Sequence, residues 1–231
     1  LDEHGFTETR IVASNDLDER LIISLKSQGA PIDIWGVGTK LATAFDEPAL
    51  GGVYKLAALE NRDGETVERI KLSEQAAKSS LPGCLDIARI KQNDINVGDV
   101  IFDTLTEEPP SVREKVITII SPEDPWRRKI IPTKNLTIER LLTPLIDGGR
   151  RVGEKESVAA MRARTLAGIA GFDRAIFRFE NPHVYPAGLS QDLFDHREEM
   201  RIHEFEIIKQ RLSAMDNNGQ SNHNSKPGAG K

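Results

Sequence analysis

Apolar positions at the start of the chain change period twice. Residues 9–14 (TRIVAS) are β-branched and apolar between polar neighbours, which predicts a short buried strand. In residues 15–29 (NDLDERLIISLKSQG), Leu17, Leu21, Ile22 and Leu25 fall on one helical face. Asp16 with Glu19 three residues on reads as a capping box, and Gly29 stops the run. Pro31 opens a second extended run, residues 31–36 (PIDIWG). Strand, helix, strand predicts a βαβ unit with parallel strands. Ligands of such sheets bind beyond the C-terminal strand ends, where Ser14-Asn15-Asp16 and Gly36-Val37-Gly38-Thr39 lie.

The pattern then becomes strand-like. GGVYKLAAL, ETVERIKLS, CLDIARI and VGDVIFDT are separated by Asp-Gly, Pro-Gly and Asn-rich turns, and the first two predict a hairpin across Asn61-Arg62-Asp63-Gly64. Helical spacing returns with Ile138, Leu141, Leu142 and Leu145, ending at Gly148-Gly149. A second helix is predicted from Lys155 to Ala170, with Val158, Met161 and Ile169 inward, and a third from near Leu189 to Met215. The charge-dense stretch from Gln191 to Arg211 reads as a solvated face. From Asp216 no apolar residue is able to pack, which predicts a disordered tail. The expected organisation is an α/β segment over 1–52, a β-rich portion over 53–135, helices over 136–215 and a tail over 216–231. Leu1, Gly5 and Phe6 read as the last turn of a helix, a glycine stop and a lead into a strand, so a fragment is expected.

Composition narrows the function classes. The 231 residues carry 31 basic and 36 acidic side chains, a net charge of −5 that gives no electrostatic case for nucleic acid or an anionic membrane. No apolar run approaches bilayer-spanning length. The single cysteine, Cys84, excludes an internal disulfide framework, suits a cytoplasmic setting and is expected to be a small, at least half-buried packing residue.

The loop Gly36-Val37-Gly38-Thr39 has a specific chemistry. Glycine lets a ligand approach the backbone, successive free N–H groups make a concave anion site, and the Thr39 hydroxyl can donate to a phosphate oxygen. A tight turn without a ligand uses the same residues. Asp16 would repel a phosphate unless a cation lay between, and its reading as a helix cap needs no ligand.

IVASNDLDE, GAPIDIWGVGTKLATAFDEPALGGVYKL, IKLSE, LPG at Leu81–Gly83 and FENPHVYPAGLS together resemble the C-terminal half of nicotinate phosphoribosyltransferases, in the family's order and over most of residues 1–215. The resemblance implies a type II phosphoribosyltransferase. Residues 1–52 would be the last strands and helices of an irregular, TIM-like α/β barrel, followed by an antiparallel β-rich and helical portion of a second domain. It implies formation of nicotinate mononucleotide and pyrophosphate from nicotinate and phosphoribosyl pyrophosphate, coupled to ATP hydrolysis, with Mg²⁺ and with a homodimer as one assembly the family uses. It places the ribosyl 5-phosphate against Thr39, Gly38 and Gly36, with Ser14, Asn15 and Asp16. Gly51 and Gly52 match a structural turn. The family's nicotinate-stacking aromatic, phosphorylated histidine and Asp-Ser-Gly-Asp segment match nothing in these residues, and no catalytic residue is assigned. Of the five histidines only His183 lies in a family block, where packing or hydrogen bonding is its expected role. Two alternatives stand beside this reading: a nicotinamide or quinolinate phosphoribosyltransferase, and a truncated, non-catalytic phosphate-binding module.

Overall fold

Two-residue alternation of buried and exposed positions builds the largest sheet of the computed structural model, which describes residues 1–49, 51–73 and 79–221, with backbone alone over 214–221. Leu50 and Glu74, part of the family blocks, lie outside the described residues, as do 222–231 of the expected tail. The chain divides into two units, Leu1–Tyr54 and Lys55–Lys231.

In the first unit, β1 (Val12–Ser14), α1 (Glu19–Ser27) and β2 (Ile34–Gly36) form the expected βαβ element, with β1 and β2 parallel in the register Ser14↔Gly36. The one-turn helix α2 (Thr39–Ala42) follows. Before β1, residues Asp2–His4 form a 3-10 turn closed by Gly5 at φ 81°, as the glycine stop predicts.

The second unit opens with the expected hairpin, β3 (Ala58–Glu60) with β4 (Thr66–Glu68). The Asn61 side-chain carbonyl accepts from Asp63 N–H and Glu65 N–H, and Gly64 takes φ 81°. Next come β5 (Leu85–Gln92), β6 (Ile95–Asp103), β7 (Val116–Ile120), β8 (Arg128–Pro132) and β9 (Leu136–Arg140). A short hairpin, β10 (Ile146–Asp147) with β11 (Arg150–Arg151), leads to α3 (Val158–Ala170), β12 (Ala187–Leu189) and α4 (Gln191–Ser221). Strand order in the six-stranded sheet is β8-β7-β12-β6-β5-β9. One core holds Ala88, Ile90, Val100, Phe102, Ile117, Ile119, Ile131 and Leu136. The other sets Leu193 and Phe194 of α4 against Ile120 and Leu189. β12 enters late in the chain, parallel to β6 and antiparallel to β7.

Several elements differ from the sequence expectation. The helix expected through Ile138 to Leu145 is strand β9 followed by a loop and the β10–β11 hairpin. Leu136 and Ile138 reach the core at two-residue spacing, β9 pairs with β5, and Pro144 forbids a helix interior. In α3, Val158, Met161 and Ile169 are 82, 43 and 46 % exposed rather than inward. This helix rests on its alanines and on Ser157, whose hydroxyl accepts from Ala160 N–H, so its spacing says nothing of what covers it. Cys84, one residue before β5, is exposed; what is held inside is its backbone N–H, which donates to the buried Asp103 carboxylate. Helix α4 continues through Asp216 to Ser221, since each added residue contributes one further helical bond.

Candidate functional site

The two loops predicted from the sequence meet because β1 and β2 are parallel and end in register. Ser14 and Gly36 are partners, and the Ser14 hydroxyl points to the Gly36 carbonyl at 3.5 Å. A Cβ at Gly36 would sit 3.3 Å from that hydroxyl, so glycine keeps the strand ends close. Positive φ occurs in the neighbouring loop, at Asn15 (80°) and Asp16 (47°), two residue types that tolerate it, and not at Gly36 or Gly38.

Leu17, 4 % exposed, anchors that loop. The cap of α1 is Asp18, not Asp16: its carboxylate accepts from Leu21 N–H at 2.8 Å, and the left-handed turn carries Asp16 away from the helix axis. The same carboxylate lies 3.6 Å from Lys40 Nζ. The Leu21 N–H first, and Lys40 after it, hold the Asp18 carboxyl below its ordinary value. Lys40 also lies 4.1 Å over the Phe45 ring.

A cleft of about 190 Å³ opens between the two loops. Its wall contains all six expected residues (Ser14, Asn15, Asp16, Gly36, Gly38 and Thr39), together with Leu17 and Lys40. Gly38 begins α2 by accepting from Leu41 and Ala42 N–H. The N–H groups of Gly38, Thr39 and Lys40, and the Thr39 hydroxyl, donate to no acceptor among the described residues. Such a wall offers backbone donors, hydroxyls and one ammonium to an anion, opposed by the Asp16 carboxylate. Lys40 was missed in the sequence, although it directly follows Thr39; its positive charge beside a Gly-x-Gly turn was the available signal.

Other expected residues do not line this cleft. His183 is exposed, and its hydrogen bond is made by the backbone N–H, to the Ala175 carbonyl. Gly51 and Gly52 are exposed and meet nothing within 4 Å where a Cβ would stand. Among the described residues no group of three or more His, Cys, Asp or Glu is arranged to hold a metal ion, so no residue is assigned to Mg²⁺. No helix among the described residues is long and apolar enough to cross a membrane.

Comparison with known proteins bears on the same chain. Residues 87–197 match the family model described as the nicotinate phosphoribosyltransferase C-terminal domain. The nicotinate phosphoribosyltransferase of Bacillus subtilis is 36 % identical over 216 residues, covering 92 % of this chain and 42 % of that protein. The Dictyostelium discoideum enzyme of the same name is 31 % identical over 198 residues, covering 82 % of this chain and 32 % of that protein. The crystal structure of human nicotinic acid phosphoribosyltransferase superposes with a TM-score of 0.54 at 21 % identity, over 84 % of this chain and 33 % of that one, a likeness of fold. The chain therefore spans well under half the length of the relatives it matches.

Proposed function

We propose, on the premise that this chain belongs to the nicotinate phosphoribosyltransferase family, that it is the C-terminal part of an enzyme of pyridine nucleotide salvage. That enzyme would form nicotinate mononucleotide from nicotinate and phosphoribosyl pyrophosphate, coupled to ATP hydrolysis. The observation that carries the reading is the cleft between residues 14–16 and 36–39, where every residue expected to hold the ribosyl 5-phosphate lines one wall. β1, α1 and β2 would be the last βαβ unit of an α/β barrel, which the parallel pairing of β1 and β2 supports.

The chemistry asks little of these residues beyond holding. The nicotinate ring nitrogen is already a nucleophile, so displacement of pyrophosphate at the anomeric carbon depends on positioning and on electrostatic stabilisation of a cation-like transition state. Gly38, Thr39 and Lys40 N–H groups, with the Thr39 hydroxyl, would grip the donor at its far end. Binding energy realised there orients the reacting carbon. Lys40 Nζ would offset the Asp16 charge on the same wall. Magnesium, when bound to the pyrophosphate, neutralises charge on the leaving group; no residue of this chain is assigned to it.

The test is Thr39→Ala in the enzyme that contains this chain. Loss of a charge-assisted hydrogen bond of about 1–3 kcal/mol predicts a roughly 5- to 150-fold fall in kcat/KM for phosphoribosyl pyrophosphate. Unchanged kinetics with that donor would remove Thr39 from the site.

A further inference from the structure

The second unit has a concavity of about 210 Å³ that the reading above does not use. On one side stand three successive cations, Arg127, Arg128 and Lys129, where the chain enters β8; Ile119 and Ser121 come from the end of β7, and the segment before β12 supplies Val184, Tyr185 and Pro186. No residue lining it is acidic, in a chain whose net charge is −5. We propose that this cavity binds a multiply charged phosphate group, a free or nucleotide-borne polyphosphate, with Arg127 and Lys129 as its anchors.

The geometry leaves those two cations available. Lys129 pairs with Ile119 across the β7–β8 ladder, and Arg127 stands in the turn just before β8; both line the cavity. Neither Arg127 nor Lys129 forms an ion pair among the described residues. Arg128, by contrast, is drawn back to the Pro125 carbonyl at 3.1 and 3.3 Å.

Of the acids near the turn, Glu123 does not line the cavity and gives its backbone N–H to the Ser121 hydroxyl, while Asp124 and Asp99 have partners of their own. Asp124 accepts from Trp126 N–H at 3.1 Å within its own turn. Asp99 accepts both nitrogens of Arg89 at 2.9 and 2.7 Å and the Tyr185 hydroxyl at 2.8 Å, so Tyr185 presents its ring as a wall. The turn that carries the cations is closed: Ser121 N–H donates to the Arg127 carbonyl and Arg127 N–H to the Asp124 carbonyl, each at 3.0 Å. Two cations held on a closed turn, over a wall without carboxylates, suit an anion of high charge density better than the acid-bearing cleft of the first unit does.

Calorimetric titration of the full chain with inorganic pyrophosphate tests the assignment. Wild-type chain should bind in or below the millimolar range. Arg127→Gln with Lys129→Gln should weaken that binding at least tenfold, whereas Thr39→Ala leaves it in place. Both substituted side chains are exposed, and an unchanged circular dichroism spectrum verifies the fold. Pyrophosphate-dependent amide shifts should fall on Ser121, Arg127, Lys129 and Ala187. Equal affinity in the double variant, shifts confined to Gly36–Thr39, or no binding at all would each overturn it. An ADP arm separates the sources. Tighter binding than pyrophosphate means a nucleotide-borne group, with the 91 % exposed Trp126 beside Arg127 as the stacking surface; equal binding means a free polyphosphate.

Discussion

Asp18 joins two roles, one of which the sequence assigned to its neighbour Asp16. It caps α1 through Leu21 N–H, and it holds Lys40 at 3.6 Å on the wall of the cleft. Asp18→Ala should therefore destabilise the start of α1 and release the Leu21 N–H, while Asp16→Ala, at a left-handed position that alanine tolerates poorly, loosens its own turn but leaves the Leu21 cap in place. Amide exchange of Leu21 and its neighbours in the two variants measures the difference; equal effects would return the cap to Asp16. Glu107 gives a pH-dependent case. Burial, above all, raises its carboxyl above the ordinary glutamate value, although Asp103 N–H and the Ser190 hydroxyl both donate to it. A raised pKa in the folded state means a contribution that is whole below the unfolded value and lost as pH rises through the folded one. Glu107→Gln keeps a carbonyl acceptor for both donors and removes the ionisation. It should flatten that part of the stability profile and gain roughly half a kcal/mol or less at neutral pH. Thermal melts from the ordinary glutamate range upward would detect it, and a steeper pH dependence in the variant would contradict it.

At the scale of elements, legibility followed whether a pattern stated its own partner. The βαβ unit was readable because TRIVAS and PIDIWG flank a capped amphipathic run, and β5 and β6 were readable as strands because their alternation is long. β9 was misread because Leu141, Leu142 and Leu145 happen to continue helical spacing from Ile138; the pairing of β9 with β5, which decides the matter, is non-local. β12 is three residues long and finds its place between β6 and β7 only by packing. Gly188 shows why that place is narrow: a Cβ there would overlap the Ile120 carbonyl, a backbone atom that cannot swing aside. At Gly98 the overlapping atom is the tip of the Ile119 side chain, which can. Gly188→Ala should cost at least about 2 kcal/mol and Gly98→Ala less, the order to be read from urea midpoints. The reverse order would mean that β12 is not seated against β7 as described. The candidate cleft was legible for the same reason as the βαβ unit: its residues lie in two short loops at adjacent strand ends. Lys40 was not, because its contribution depends on Asp18 standing across from it.

For the whole chain, the two units differ in what they bury, and this bears on how the cleft can work. Unit 2 closes two apolar cores around its six-stranded sheet. Unit 1 has a two-stranded sheet, and Leu17 is its one fully buried apolar side chain among the described residues, while Ile34, Leu41 and Phe45 stand 49, 73 and 57 % exposed. Two short strands, the helix α1 and the single turn of α2, with so little apolar burial, are marginal in water. The loops of the cleft therefore hang on the less stable part of this chain, yet a phosphate grip is useful only if it is rigid. In the proposed enzyme the remaining barrel strands would supply that rigidity, so grip and barrel should strengthen together. Hydrogen exchange on the chain alone should show amides of β5, β6 and β7 protected to near the global unfolding free energy, and those of β1, α1 and β2 exchanging through local opening. In the longer enzyme that contains the chain, protection of Ser14 and Gly36 should rise by orders of magnitude, whereas that of Val100 changes little. Equal protection of the two units in the isolated chain would show that unit 1 needs no further strands.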